Sequence, residues 1–109
     1  MLTKVKKIIF MKRLEKMLAT YQIKIMHFIP GRVRISSPYW EGNSKIVSQL
    51  VPLLELEPKI LSVRHTSETG TILVEYDPSP EVDEKQIEQW FDIVQRVHNG
   101  VITREVTGS

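Results

Sequence analysis

A proline followed by a glycine interrupts the alternating segment of residues 21 to 36, and this step constrains the fold more than any other feature of the chain. Pro30 cannot donate a hydrogen bond to a neighbouring strand, and Gly31 tolerates backbone angles that other residues avoid. The step therefore predicts a bulge or bend within one long strand. Beyond it, alternation turns two apolar side chains to one face and two arginines to the other, namely Val33 and Ile35, and Arg32 and Arg34.

Two later segments carry apolar residues at helical spacing. The first is capped by Asn43 or Ser44 and ended by Pro58. The second begins at a cap formed by Asp83, and Asn99 with Gly100 is a C-terminal signal that ends it. The sequence thus predicts two helices of ordinary length.

The remaining segments read as strands. Two β-rich runs, Ile60–Thr66 and Thr71–Tyr76, are joined by a short link ending in glycine, which predicts a hairpin. Residues 101 to 106 supply a last strand, so the predicted order is βαββαβ. With right-handed crossovers this order gives an α+β, ferredoxin-like sandwich, a four-stranded antiparallel sheet with two helices on one face. Strand parity turns five side chains towards the open face: Arg32, Arg34, Arg64, Leu73 and Glu75.

Positive charge is concentrated at the start of the chain. Residues 1 to 24 contain seven basic side chains and one acidic one, a charge of +6, although the whole chain carries only +2. Residues 1 to 21 are predicted to form a basic amphipathic helical segment, followed by one domain at residues 22 to 109. The uncharged runs of the segment are far shorter than the roughly 20 residues that span a bilayer. The basic side chains offered to an anionic membrane surface are Lys4, Lys6, Lys7, Lys12, Arg13 and Lys16.

Two other interpretations of the same segment stay open. It could be an ordinary helix packed on the domain, or a partly disordered arm. Acidic proteins and nucleic acids would also attract its charge. The open face lacks aromatic residues at central strand positions, however, which argues against nucleic-acid binding.

The chain contains no cysteine. Disulfides, thiolate metal sites and thiol nucleophiles are therefore excluded. No glycine-rich phosphate loop or Ser-His-Asp arrangement is present either. The sequence predicts that the protein is not an enzyme.

Three stretches resemble the heavy-metal-associated domain superfamily, and within it the branch called the second heavy-metal-associated family. They are HFIPGRVRI at residues 27 to 35, LSVRH at residues 61 to 65 and SETGTILVEYDP at residues 67 to 78. The resemblance covers roughly residues 25 to 106. It implies a small bacterial module related to copper chaperones and to N-terminal domains of heavy-metal P-type ATPases. We expect a cytoplasmic location at the inner face of the membrane, where the basic segment would recruit the protein to the membrane surface or to a membrane transporter.

This chain departs from the family at the metal site. Classical members hold soft metals with Cys-x-x-Cys in the loop between the first strand and the first helix, and here that loop, residues 36 to 42, reads SSPYWEG. Cu(I) transfer by exchange between two cysteines is therefore excluded. The family's ligands carry over to no position.

His27 is the candidate ligand for a transition metal. Met26 beside it could add a thioether, but adjacent strand residues point to opposite faces. A haem bound by His27, with Arg32 or Arg34 pairing to its propionates, is another interpretation. Alternatively, His27 hydrogen-bonds to backbone near the bend. Two further histidines have structural interpretations: His65 facing the helices, and His98 at a helix C-terminus.

Partner binding is the leading interpretation. Arg32, Arg34 and Arg64 could bind carboxylates or phosphates, or they could pair with Glu75 on a solvated face. Tyr39 and Trp40 at a loop tip could anchor a partner or a membrane, unless Trp40 folds back onto the core. We therefore expect a non-catalytic binding or adaptor domain of a membrane surface or heavy-metal transport system. The alternatives are a metal or haem carrier and a module that forms homodimers through its open face or edge strands.

Overall fold

The chain forms a sheet covered on one face by helices, in a computed structural model that describes residues 4–79 and 84–106. The predicted cap Asp83 lies outside the described residues. A short 3-10 helix, Pro38–Trp40, follows the second strand. The other elements are α1 (Lys4–Thr20), β1 (Lys24–Ile29), β2 (Arg32–Ser36), α2 (Lys45–Glu55), β3 (Ile60–Thr66), β4 (Thr71–Tyr76) and α3 (Glu84–Val106).

The proline-glycine step is a tight turn and not a bulge. Ile29 lies opposite Arg32, so Pro30 and Gly31 alone connect the antiparallel strands β1 and β2. Gly31 has a φ of 87°, and proline followed by a residue at positive φ is typical of a type II turn. The prediction of one long strand is therefore wrong, because the chain reverses here. The bulge of this hairpin lies instead in β1, between Ile25 and His27.

The sheet has the strand order β1-β2-β4-β3, and every pair of neighbours is antiparallel. The predicted α+β class, with a four-stranded antiparallel sheet and helices on one face, is confirmed. In a ferredoxin-like sheet the last strand lies beside the first of the βαβ unit. Here β1 occupies that edge position, beside β2.

The strand predicted for residues 101 to 106 is wrong, and so is the helix end at Asn99 and Gly100. Both segments belong to α3, which continues to Val106. Val97 and Val101 are buried and lie one turn apart on the same side of the helix. Glycine within a helix costs about 1 kcal/mol, and burial of Val101 offsets a cost of that size.

The core lies between the sheet and the helices α2 and α3. Side chains of α2 recur at helical spacing and are buried, and the Ser44 hydroxyl caps the helix by accepting a hydrogen bond from the Val47 amide at 3.3 Å. The predicted cap is thereby confirmed. The hairpin of β3 and β4 is confirmed as well. The side chains of this core with the least exposure are Trp40, Leu50 and Ile72.

Helix α1 confirms the helical prediction for Lys4–Thr20. Its last turns contact the domain, because Met17 and Leu18 pack against the core. The amide of Ile23 also donates to the Leu18 carbonyl at 2.8 Å. The end of α1 is thus an ordinary packed helix, as one interpretation expected. Of the helices that the structure describes, none combines the length and the apolar character needed to cross a membrane.

Candidate functional site

The sheet face turned away from the helices carries the three predicted arginines. Arg34 and Arg64 both lie opposite Leu73, one from each side. Arg32 lies opposite Glu75 in the next row. All three arginines are exposed, so the predicted placement on the open face is confirmed.

These arginines have no acidic partner within the described part of the chain, where the ion pairs are Arg13–Glu88 and Arg96–Asp92 on the helices. The Glu75 carboxylate instead accepts a hydrogen bond from the Ser62 hydroxyl at 3.1 Å. Glu75 therefore forms no ion pair with these arginines, although the interpretation of a solvated face required one. Three cationic groups remain available to an external anion.

Strand β1 extends this face with His27 and Lys24. His27 lies opposite Arg34, and Lys24 lies opposite Ser36. Strict alternation would place Lys24 and His27 on opposite faces, and the bulge between Ile25 and His27 brings them to the same one, so the sequence did not predict Lys24 as part of this site. We call Lys24, Arg32, Arg34 and Arg64 the cationic face.

The described residues do not form the donor cluster typical of a heavy-metal site. No cysteine occurs in the sequence, and within residues 4–79 and 84–106 no three His, Asp or Glu side chains come together as a metal-binding group. The bulge at Met26 removes the strict alternation that would separate it from His27. His27 nevertheless lies beside Arg34, whose charge repels a metal cation. A metal site at His27 and the haem interpretation both stay predictions.

The loop in which the resemblance expects metal ligands is packed into the domain. Ser37 is buried, donates its hydroxyl to the Tyr21 carbonyl at 2.9 Å, and donates its amide to the Gly70 carbonyl at 3.0 Å. Trp40 is fully buried, so its predicted position at an exposed loop tip is wrong and the alternative, in which it folds back, is confirmed. Tyr39 is 37% exposed, and its role as an anchor stays a prediction.

Two histidines hold Trp40 in place. Its indole N–H donates to Nε2 of His98 at 3.0 Å, and its carbonyl accepts from Nε2 of His65 at 2.6 Å. His65 thus faces the helices as predicted. Nδ1 of His98 lies 2.7 Å from the Val94 carbonyl, and because a carbonyl only accepts, Nδ1 carries the proton.

His98 is buried inside α3, so its predicted position at a helix C-terminus is wrong. Burial lowers the pKa of His98, and this effect exceeds the opposite one of its hydrogen bond to Val94. The Tyr21 ring lies 4.5 Å from the imidazole, centroid to centroid. Burial raises the pKa of Tyr21, partly offset by the hydrogen bond from its hydroxyl to Asn99. Because its pKa is lowered, the imidazole of His98 is neutral at neutral pH.

The predicted membrane-binding side chains belong to α1. Lys12, Arg13 and Lys16 are exposed. Arg13 also approaches Glu88 of α3 at 3.4 Å, an ion pair between exposed groups that contributes little to stability. The side chains of three further lysines lie outside what the structure describes: Lys4, Lys6 and Lys7.

Substitution of Gly70 tests how tightly the loop of Trp40 is held. A Cβ atom at Gly70 would lie 2.6 Å from the Ser37 carbonyl, and the residue has a φ of +63°. Gly70→Ala should lower the free energy of unfolding by at least about 2 kcal/mol, measured by urea denaturation. Gly42→Ala is the matched control, because Gly42 has a φ of +67° with nothing within 4 Å. Equal losses in the two variants would show that contact with Ser37 is unimportant.

The family model described as heavy metal associated domain 2 matches residues 5–103. The match begins inside α1 and therefore crosses the predicted boundary between residues 21 and 22, which stays a prediction. No curated protein and no solved structure matches the chain.

Proposed function

This chain belongs to the heavy metal associated domain 2 family, and from that premise we propose that it is a non-catalytic binding domain whose cationic face binds an acidic partner protein. The observation that carries the proposal is the row formed by Arg34, Leu73 and Arg64, in which neither arginine has an ion pair within the described residues. The proposed partner belongs to a heavy-metal transport system at the inner face of the membrane.

The geometry of the row suits carboxylates on a protein. Neighbouring strands lie about 4.8 Å apart, so the backbones at Arg34 and Arg64 are separated by about 10 Å. A guanidinium group can donate two parallel hydrogen bonds to one carboxylate. The half-buried Leu73 between them offers apolar contact. A surface with two carboxylates flanking an apolar side chain would be complementary to this row.

Glu75 favours a protein over a lipid surface as the partner of this face. Glu75 is half-buried and lies in the row next to that of Arg34 and Arg64. An anionic bilayer on this face would repel its carboxylate. An acidic protein can place a donor opposite Glu75 and carboxylates opposite the arginines. Arg13 and Lys16 of α1 line a groove between α1 and α3 instead, and in this proposal the basic residues of α1 hold the domain near an anionic membrane surface.

A charge-reversal experiment tests the cationic face. The probe is a fluorescein-labelled polyglutamate peptide, and its binding is followed by fluorescence anisotropy at low ionic strength. R34E/R64E should weaken the affinity by roughly tenfold or more, because both bidentate contacts are lost. The matched control K45E/K85E changes the net charge equally through exposed side chains of α2 and α3.

The control decides between a local site and a general charge effect. If both double variants weaken binding equally, net charge drives association and the proposed face is wrong. Vesicles containing phosphatidylglycerol provide the second probe. A loss of vesicle binding in R34E/R64E larger than its loss of peptide binding would assign the face to the membrane instead and contradict the proposal.

A further inference from the structure

An apolar cleft of about 460 Å³ lies between α1, the helix-facing side of the sheet and α3. The walls come from α1, α2, α3 and all four strands of the sheet, and every side chain that lines the cleft is aliphatic, aromatic or methionine. Leu14 and Leu18 contribute the wall on α1, and Trp90 and Phe91 the wall on α3. The volume of the cleft falls within the range of about 300–1,000 Å³ that is typical of ligand sites.

The cleft is open to solvent along the edge strand. Phe28 lies opposite Val33 and Ile25 opposite Ile35, so both belong to the side of the sheet that packs against the core. They are nevertheless 63% and 48% exposed. Apolar surface concentrated in this way is unfavourable in water and often marks a binding site.

A polar groove adjoins the cleft and carries positive charge. The groove has a volume of about 280 Å³ and runs between α1 and α3, and Met17 and Phe91 line both it and the cleft. Arg13 and Lys16 line the groove, together with Gln95. An apolar pocket thus continues directly into a cationic one.

The counter-ion of Arg13 is weakly held. Its guanidinium lies 3.4 Å from the Glu88 carboxylate, and both side chains are largely exposed. Such pairs contribute about 0–1 kcal/mol to stability. An anionic head group can therefore compete for Arg13 and add a contact to Lys16.

We propose that the cleft binds one long-chain carboxylate, with its acyl chain in the cleft and its head group on Arg13 and Lys16. The choice of an anionic amphiphile rests on charge complementarity, because the polar end of the site is basic and the rest is apolar. The site lies on the opposite side of the sheet from the cationic face, so it is independent of the partner binding proposed for that face, although Arg13 and Lys16 also belong to the basic side chains that the proposed function assigns to the membrane.

Titration of the full chain with palmitate tests the proposal. Trp90 lines the cleft, so palmitate should change the protein's tryptophan fluorescence in a saturable, equimolar way. Hexanoate, with a short chain, and cetyltrimethylammonium, with a cationic head, should bind at least tenfold more weakly. The double reversal R13E/K16E should weaken palmitate binding roughly tenfold or more, while K12E/K45E, with the same change in net charge outside the site, should not.

Ile25→Glu gives a second, independent readout. It places a carboxylate at the mouth of the cleft on an already exposed position, so the fold should be kept and palmitate binding lost. No saturable binding of palmitate by the wild-type chain would overturn the proposal. Binding of cetyltrimethylammonium as tight as that of palmitate would overturn it too. If palmitate does not bind, binding to phosphatidylglycerol vesicles would assign the cleft to a membrane, and a dimer in sedimentation velocity would assign it to a second copy of the chain; either result contradicts the proposal.

Discussion

Trp40→Ala is expected to lower the free energy of unfolding by about 3–5 kcal/mol, the largest effect of any single substitution considered. Trp40 is fully buried, so the substitution leaves a cavity where the indole stood. It also leaves Nε2 of His98 without its donor. The free energy of unfolding of a small domain is only about 5–15 kcal/mol in total. Much of the variant should therefore be unfolded in moderate urea.

Urea denaturation followed by circular dichroism measures this loss. Tyr39→Ala is the matched control, because Tyr39 is the preceding residue of the same 3-10 helix and is 37% exposed. The control should lose about 1 kcal/mol or less. Trp40→Phe should lie between the two, since it keeps a ring but removes the hydrogen bond to His98. A Trp40→Ala variant as stable as Tyr39→Ala would show that Trp40 does not contribute to the core.

Short-range patterns predicted the strands and their faces well. Alternation in β2 separated Val33 and Ile35 from Arg32 and Arg34, as the structure confirms. The hairpin of β3 and β4 and the Ser44 cap likewise depend on residues close in sequence. Interactions of this kind can be inferred from the chain alone because their partners lie within a few residues.

The turn at Pro30 and Gly31 shows where such inference ends. A bulge and a tight turn both suit a proline that lacks a donor and a glycine that adopts positive φ. The choice depends on whether β1 continues away from β2 or pairs with it. In the structure β1 pairs with β2, with Phe28 opposite Val33, and the local sequence does not determine this pairing.

The end of α3 and the position of Trp40 share one long-range cause. Asn99 and Gly100 resemble a helix end, yet His98 receives the indole N–H of Trp40 from 58 residues away, and Val101 is buried in the same core. Tertiary contacts thus override a local stop signal. Neither partner signals the other in the sequence.

The contact between Trp40 and His98 also determines the structure of the loop at residues 36 to 42. Residues 36 to 42 keep their place between strand and helix, but the loop turns Trp40 inward and binds Ser37 to Gly70. Ser37 and Trp40 therefore have structural roles in the loop where the resemblance implied metal ligands.

Acidification is expected to destabilise the protein through His98. Burial lowers the pKa of His98 below its ordinary value of 6.5. Below about pH 6.5 the unfolded chain binds a proton that the folded chain does not. The stabilisation is therefore complete above that pH and falls by up to about 1.4 kcal/mol per pH unit as the pH drops towards the folded pKa.

The hydrogen bonds give the physical reason for this slope. Nε2 of His98 accepts the indole N–H of Trp40, and protonation places a second hydrogen on that contact. The rings packed on the imidazole belong to Tyr21, Tyr39 and Trp40, so within the described structure no carboxylate stabilises an imidazolium. His65 contacts Trp40 elsewhere, because its Nε2 donates to the Trp40 carbonyl.

Urea denaturation between about pH 5 and pH 8 measures the slope, in a range where ordinary carboxylates stay ionised. His98→Phe should flatten the profile and, because the Trp40 N–H then lacks an acceptor, lower stability at neutral pH by about 1–3 kcal/mol. His27→Gln, at an exposed position on the open face, should leave the profile unchanged. If His98→Phe keeps the wild-type slope while His27→Gln removes it, the acid response belongs to the surface histidine and not to the buried pair that holds the loop.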